Sequence, residues 1–390
     1  MDIGSITICG GGNGAQTLAS IASHNLACNV NVYAPFKDEA ERLRGGIDAR
    51  GGIETTGAVA GLGRPHRISG DAAAVIPGSS LVVLVVPAFA HESNLRAIVP
   101  YLDEGASVGA MPARGGFDYC AARCLEEAGR SDVTVFGLQT LPWACRIREY
   151  GRIVQVLGVK KTVDVACRPA SRLGSVASEL EQMLGVPIGD AGSMLALTLA
   201  NTGQIIHPGI MYDLFAQWDG QTFENGRIPL FYQGLSEEGA QILGELSQEI
   251  QRICTRLANS PLDLSGVHDL KTWLVRSYGD AILDSSSLHS AFRTNTAYAG
   301  LRAPVKEIAP GEFAPAFGAR YLAEDVPYGL AVSQAIARLA GVETPTIDEV
   351  VSWARQRLRN DAGGDGTNDR TPQAYNLNDL DALIRFTLQE

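Results

Sequence analysis

Residues 3–22, IGSITICGGGNGAQTLASIA, set a short apolar run against a glycine cluster and follow it with a helical pattern. Residues 3–9 read as a buried strand, Gly10-Gly11-Gly12-Asn13-Gly14-Ala15 as a tight loop, and the remainder as a helix. The spacing Gly10-x-Gly12-x-x-Ala15 is a dinucleotide fingerprint. Its first glycine makes the turn, its second lets a pyrophosphate approach the backbone, and Ala15 allows the helix to pack closely. Free N–H groups at the helix start, around Asn13 and Gly14, then face the phosphates. Gly10, Gly12, Asn13, Gly14 and Ala15 are therefore the expected cofactor-binding residues, for NAD or NADP.

Beyond this stretch, residues 28–33 (CNVNVY), 81–86 (LVVLVV), 106–111 (ASVGAM) and 133–138 (VTVFGL) are strand-like and separated by helical patterns. Such alternation predicts an α/β fold with a doubly wound parallel sheet, a Rossmann domain. Ligands on such sheets lie beyond the carboxyl ends of the strands, which makes Pro87, Ala88 and Phe89 candidates to line the cofactor. An ordinary strand-to-helix turn is the competing reading. After the second strand stand Tyr33-Ala34-Pro35, with Lys37 and Arg42 nearby, so the sequence leaves NAD and NADP open. Gly105-Ala106-Ser107-Val108-Gly109 matches a serine-hydrolase pattern, but a helix end precedes it and the strand follows, the reverse of a nucleophile elbow. Residues 138–150, LQTLPWACRIREY, read as a loop after the sheet and a possible substrate wall; Trp143 as a core plug is the alternative. Two more strands are expected in 151–167, and a helix over 169–184 closes a first domain of residues 1–190.

The chain is 390 residues long, more than one hydrophobic core usually serves, so a second domain over 191–390 is expected. Helical patterns around 237–258, 269–277 and 328–340 make it mainly α-helical, with loops at 215–234 and 359–374 and a last short helix at 377–388. A net charge of −11 gives no electrostatic footprint for nucleic acid or an anionic membrane, which leaves small-molecule substrates. Seven scattered cysteines with no CxxC pair fit reduced thiols in a cytoplasm and indicate no metal site. No segment is apolar for long enough to span a bilayer.

Between the two domains lies ALTLANTGQIIHPGIMYD, residues 196–213, an apolar helix-like run ending in His207 before Pro208. The helix C-terminus expected there would favour a protonated imidazole. In the second domain, Asp325 precedes Val326-Pro327, which places it at a helix N-terminus where its ionised form is favoured. The two would make a natural pair, with Arg320 near enough in sequence to hold a carboxylate through parallel hydrogen bonds. A capping histidine, an N-cap aspartate and a surface arginine are the ordinary alternatives. Arg114, in the loop Met111-Pro112-Ala113-Arg114-Gly115, is a second candidate for a substrate carboxylate or else a solvated residue.

Taken together, ITICGGGNGAQTLA at 6–19, VPAFAHE at 86–92, TLPWACRIREYGR at 140–152, His207-Pro208, PLFYQG at 229–234 and RYLAEDVPYG at 320–329 resemble the opine dehydrogenases, octopine dehydrogenase type. The resemblance runs across almost the whole chain. It implies a Rossmann domain followed by a helical domain. It also implies NAD(P)H-dependent reductive condensation of an amino acid's amine with a 2-oxo acid, with pyruvate the family-level choice. It further implies His207 and Asp325 as a catalytic dyad with Arg320 beside them, and puts Gln139, Thr140 and Cys145 in substrate-binding segments. Arginine-using members carry an acid before the matched threonine, where this chain has Gln139. A cytoplasmic monomer or homodimer is expected. A 2-hydroxy-acid or polyol dehydrogenase on the same two-domain plan, or a non-enzymatic dinucleotide-binding redox sensor, are the alternatives.

Overall fold

The computed structural model describes residues 4–362 and 369–389. The chain forms two compact units, Met1–Leu197 with Arg385–Glu390, and Thr198–Ile384. The return of the C-terminus to the first unit has no counterpart in a division of the sequence at residue 190.

Among its described residues the first unit contains twelve strands in chain order: β1 (Ser5–Cys9), β2 (Val30–Tyr33), β3 (Ile53–Gly57), β4 (Gly61–Gly63), β5 (Arg67–Ser69), β6 (Ser79–Leu84), β7 (Ser107–Ala110), β8 (Thr134–Leu138), β9 (Trp143–Glu149), β10 (Ile153–Val159), β11 (Val163–Arg168) and β12 (Ile188–Asp190). Eight of them make one sheet in the order β12-β11-β8-β7-β6-β1-β2-β5. All neighbours are parallel except β11 and β8. Every residue of β2, β7 and β8 is buried, polar Asn31, Ser107 and Thr134 included, and the continuous apolar run Leu81–Leu84 of β6 is buried on both faces. The first strand begins at Ser5, and Ile3 of the expected 3–9 run lies outside the described residues.

Register decides where the ligand edge lies. Cys9 pairs with both Tyr33 and Leu84, Leu84 with Ala110, and Ala110 with Gly137. The carboxyl ends of β2, β1, β6, β7 and β8 therefore stand in a row at one edge, and the loops that follow them stand side by side.

Of the second sheet, β4-β3-β10-β9, only β10 is among the two strands expected in 151–167, and β9 turns part of the expected 138–150 loop into a strand. Along β9 the side chains alternate, with Trp143 and Cys145 buried and Ala144 and Arg146 exposed. Ala144 does not look polar, so the alternation is blurred in the sequence. Trp143 is a core residue. Cys145 joins the same core, so its side chain does not line a substrate wall, and burial pushes its thiol up.

In the second unit, helices span Gly203–Phe215, Glu237–Leu257, Leu270–Tyr278, Ala331–Ala340 and Pro345–Ala362, beside a small antiparallel sheet of Phe223–Glu224, Val305–Ala309 and Glu312–Pro315. Ser236 and Asp269 cap two of these helices through their side chains. A Cβ on Gly209 would come within 2.5 Å of Leu243, so glycine lets Gly203–Phe215 press against Glu237–Leu257. Of the expected 359–374 loop, 359–362 continue a helix, Pro372–Tyr375 form a 3-10 turn, and 363–368 lie outside the described residues. The last helix is Leu380–Leu388. No helix among the described residues is long and apolar enough to cross a membrane.

Candidate active site

The glycine loop follows β1. Gly10 has φ +126°, and a Cβ there would lie 2.7 Å from the Val85 carbonyl oxygen, so both backbone and space require glycine. A Cβ on Gly12, by contrast, would meet nothing within 4 Å. That open face belongs to the N-cap of helix Asn13–Asn25, which has no side-chain cap. The first N–H of this helix to bond within it is that of Gln16, to the Gly12 carbonyl, so the N–H groups of Asn13, Gly14 and Ala15 are available to an anion. The cradle fits a dinucleotide pyrophosphate. Ala15 itself is buried, and Gly14 passes close to Val85 and Leu141.

Two neighbouring side chains lock the loop in place. Gln16 donates to the Gly11 carbonyl at 2.8 Å and accepts from the Gly151 N–H at 2.9 Å. The Asn13 side chain accepts from the Ile147 N–H at 2.7 Å, so its oxygen pins β9, which leaves its backbone N–H and its side-chain NH2 for a cofactor. Glu39 and the Tyr150 hydroxyl crowd Gly11, each 2.8 Å from where its Cβ would be. Glu39 carries no signal in the sequence, because it stands six residues past the end of β2, on the next helix.

Next in the row, after β6, Pro87 opens a 3-10 turn over Ala88–Ala90. Ala88 is fully buried and can offer a cofactor only its backbone, whereas Phe89 is 67% exposed. Arg114 follows β7, half-buried and with a left-handed φ of +53°, unusual outside glycine. Gln139 and Thr140 follow β8. The Gln139 N–H bonds the Asp164 carbonyl at 3.0 Å, and Ala113 N–H bonds Leu138 O at 3.0 Å, which ties the loops after β7 and β8 together.

A separate cluster forms in the second unit. His207 Nδ1 lies 2.8 Å from Asp325 Oδ2, and Nε2 lies 3.1 Å from the Tyr232 hydroxyl. The imidazole stacks on Tyr321 at 4.2 Å and 12°. Tyr232 stacks on Tyr298 at 4.0 Å, and burial pushes its hydroxyl well above the usual tyrosine value. Asp325 is almost wholly buried and forms the N-cap of the turn Val326–Leu330, with Pro327 inside the first positions. Arg320 donates through Nε to the buried Glu324 carboxylate at 2.6 Å, and its side chain is 65% exposed.

The position of His207 corrects the sequence reading. It is not at a helix C-terminus but in the second turn of Gly203–Phe215, with Pro208 inside that helix. The preceding helix stops at Leu199 because Gln204 turns back on it, donating to the carbonyls of Thr198 and Leu199 at 3.1 and 3.2 Å while accepting from Ser333 at 2.7 Å. The dipole at this place opposes a cation, so the counter-charge for a protonated His207 is the Asp325 carboxylate. Tyr232 and Tyr321 are not legible as site residues in the sequence although both lie in segments that carry the resemblance; aromatic residues read as core by default.

Comparison with known proteins places the chain in a family. Residues 190–358 match the family model of the NAD/NADP octopine/nopaline dehydrogenase α-helical domain. The opine dehydrogenase of Haliotis discus hannai is 37% identical across 98% of each chain. The tauropine dehydrogenase of Arabella iricolor is 33% identical over 97% of this chain and 99% of its own. A solved octopine dehydrogenase in complex with NADH and agmatine superposes with a TM-score of 0.86 at 32% identity, covering 97% of both chains. The chain therefore belongs to the opine dehydrogenases of the octopine dehydrogenase type, NAD(P)-dependent oxidoreductases acting on CH–NH bonds.

Proposed function

We propose that the protein joins the amine of an amino acid to a 2-oxo acid, with pyruvate the first choice, through an imine that NADH or NADPH reduces, and that it also runs the reverse oxidation. The observation that carries this reading is the 2.8 Å contact between His207 and the buried Asp325 in a chain of this family. Solved octopine dehydrogenases with NADH and L-arginine, and with NADH and pyruvate, support the substrate class.

In this reading Asp325 accepts from Nδ1–H of His207, which fixes the tautomer and steadies the imidazolium. The protonated ring polarises the oxo-acid carbonyl for amine attack and gives up a proton as water leaves. Reduced nicotinamide, when bound, supplies the hydride that reduces the imine. Arg320 and Arg114 are the residues we assign to substrate carboxylates, of which the product has at least two. Gly10, Gly12, Asn13, Gly14 and Ala15 bind the dinucleotide through backbone groups, with Phe89 alongside. Seven free thiols favour a reducing cytoplasm, where the protein acts as a monomer or homodimer.

The test is a matrix of 2-oxo acids against amino acids, following oxidation of each reduced cofactor. Turnover that needs both carbon substrates is the expected result. Oxidation of the cofactor by an oxo acid without any amine would instead mark a 2-hydroxy-acid dehydrogenase. His207→Ala should lower turnover about a hundredfold or more with cofactor affinity kept; unchanged turnover would remove His207 from the chemistry.

A further inference from the structure

His207 and Asp325 sit on different elements, so their 2.8 Å contact depends on how closely the helix Gly203–Phe215 approaches the turn Val326–Leu330. The backbone around His207 does little to fix that approach. Pro208 has no N–H, so the Gln204 carbonyl loses the donor that a regular helix would give it. The turn that Asp325 caps is irregular as well: the Leu330 N–H reaches back to the Asp325 carbonyl at 2.9 Å, a π-type bond of the kind that recurs at functional sites.

One side chain spans the gap between these elements. Gln204, one turn before His207, is fully buried. Its Nε2 donates to the Thr198 and Leu199 carbonyls, which end the preceding helix, and its Oε1 accepts from the Ser333 hydroxyl at 2.7 Å. Ser333 is itself fully buried, in the helix Ala331–Ala340 that continues from the turn capped by Asp325. With both amide hydrogens on carbonyls and the oxygen on a hydroxyl, the orientation of the amide is determined. Gly329, inside the turn, faces the same residue: a Cβ there would lie 2.7 Å from the Gln204 Cβ.

Capping a helix end accounts for the two carbonyl bonds of Gln204. It accounts neither for the third bond, to Ser333, nor for the glycine that lets the turn come close. We propose that Gln204 is a positioning residue for the reaction: through Ser333 and the bare face of Gly329 it sets the approach of the His207 turn to Asp325. This rests on the reading that His207 and Asp325 carry the proton chemistry.

The experiment compares wild type, Gln204→Leu and Ser333→Ala, each alone and combined with Asp325→Asn. NADH affinity is measured by fluorescence, and kcat and KM with pyruvate and the amino acid that wild type uses best. The His207 ring is followed by NMR on protein carrying isotope-labelled histidine, its signals assigned by their loss in His207→Ala. Gln204→Leu should lower kcat about tenfold or more, with NADH affinity and both KM values within about twofold. Ser333→Ala removes one bond of the three and should lower kcat by less. In the Asp325→Asn background both effects should shrink to within about twofold, because the contact they set is already gone. The Nδ1–H signal of His207 should weaken or shift in both single variants.

A loss of kcat that persists undiminished beside Asp325→Asn overturns the proposal. So does an unchanged kcat with a lower melting temperature, which would make Gln204 a helix cap and no more. Should Gln204→Leu not fold, Ser333→Ala decides by the same measurements. An Asp325→Asn protein with wild-type kcat would fail the reading of the dyad instead. The NMR signal then decides on the positioning by itself: an Nδ1–H resonance unmoved in both single variants overturns it, and a moved one supports it.

Discussion

Both ring nitrogens of His207 are engaged, and the two bonds have different consequences. The contact with Asp325 sets the tautomer; the contact with Tyr232 occupies the nitrogen that must handle the substrate's proton. Tyr232→Phe keeps the stack on Tyr298 and deletes only the hydroxyl. It should lower kcat about tenfold and leave cofactor affinity alone, and an unchanged kcat would show that the hydroxyl merely fills a vacancy. Individual thiols have a second effect, on stability. Burial pushes Cys167 and Cys254 from 9.0 up to about 12, so the unfolded chain loses these protons from about pH 9 while the fold retains them. Their contribution to stability is complete below pH 9 and is lost as pH rises towards 12, by at most about 1.4 kcal/mol per pH unit for each. Lys160, pushed down to about 8, acts in the opposite sense between pH 8 and its ordinary 10.5. Cys254→Ala leaves that opposing contribution in place, so its urea midpoint should fall less than the wild type's between pH 8 and pH 10. Equal falls would mean that the Cys254 thiol does not titrate as its burial dictates.

Among the elements, the glycine loop separates what folding needs from what binding needs. Gly10 is demanded by its φ and by Val85, so Gly10→Ala should cost about 2 kcal/mol or more in a denaturant titration. Gly12 has open space around it and negative φ, so Gly12→Ala should leave stability within about 0.5 kcal/mol and still weaken dinucleotide binding about tenfold. A Gly12→Ala protein that binds NADH normally would move the pyrophosphate away from this loop. This loop is legible in the sequence because glycine spacing is itself the mechanism. The central strand β6 is legible too, since burial on both faces leaves the continuous apolar run Leu81–Leu84. β9 is not: a strand with one small outward residue next to its tryptophan lacks visible alternation, and its pairing with β10 is decided by register. The break between Leu199 and Gly203 is hidden for another reason. It depends on Gln204 reaching back to two carbonyls and across to Ser333, 129 residues later in the chain.

For the molecule as a whole, pattern and composition reveal two domains and their classes, and the family resemblance pairs His207 with Asp325 across 118 residues of sequence. What neither reveals is where the chain's end belongs. Arg385–Glu390 is part of the first unit, although the preceding residues from Thr198 onward are in the second. The physical link is Phe386. Its ring lies 3.9 Å under the Arg168 guanidinium and packs edge-on against Tyr119 at 5.5 Å, and Arg168 also bonds the Gln389 side chain. Arg168 is the last residue of β11, next to the sheet's antiparallel pairing, and burial lowers its affinity for protons, so it depends on the aromatic face and the amide that receive it. Phe386→Ala should therefore destabilise the nucleotide-binding unit by about 2 kcal/mol, through lost burial and an unshielded cation. Dinucleotide bound to the first unit offsets such a loss by mass action, by about 2.7 kcal/mol at a hundred times Kd. The wild type gains the same amount if its Kd is the same, so NADH should raise both melting temperatures and leave the deficit between them nearly unchanged. A Phe386→Ala protein that melts with the wild type in the absence of NADH would show that the C-terminal helix contributes nothing to the unit it joins.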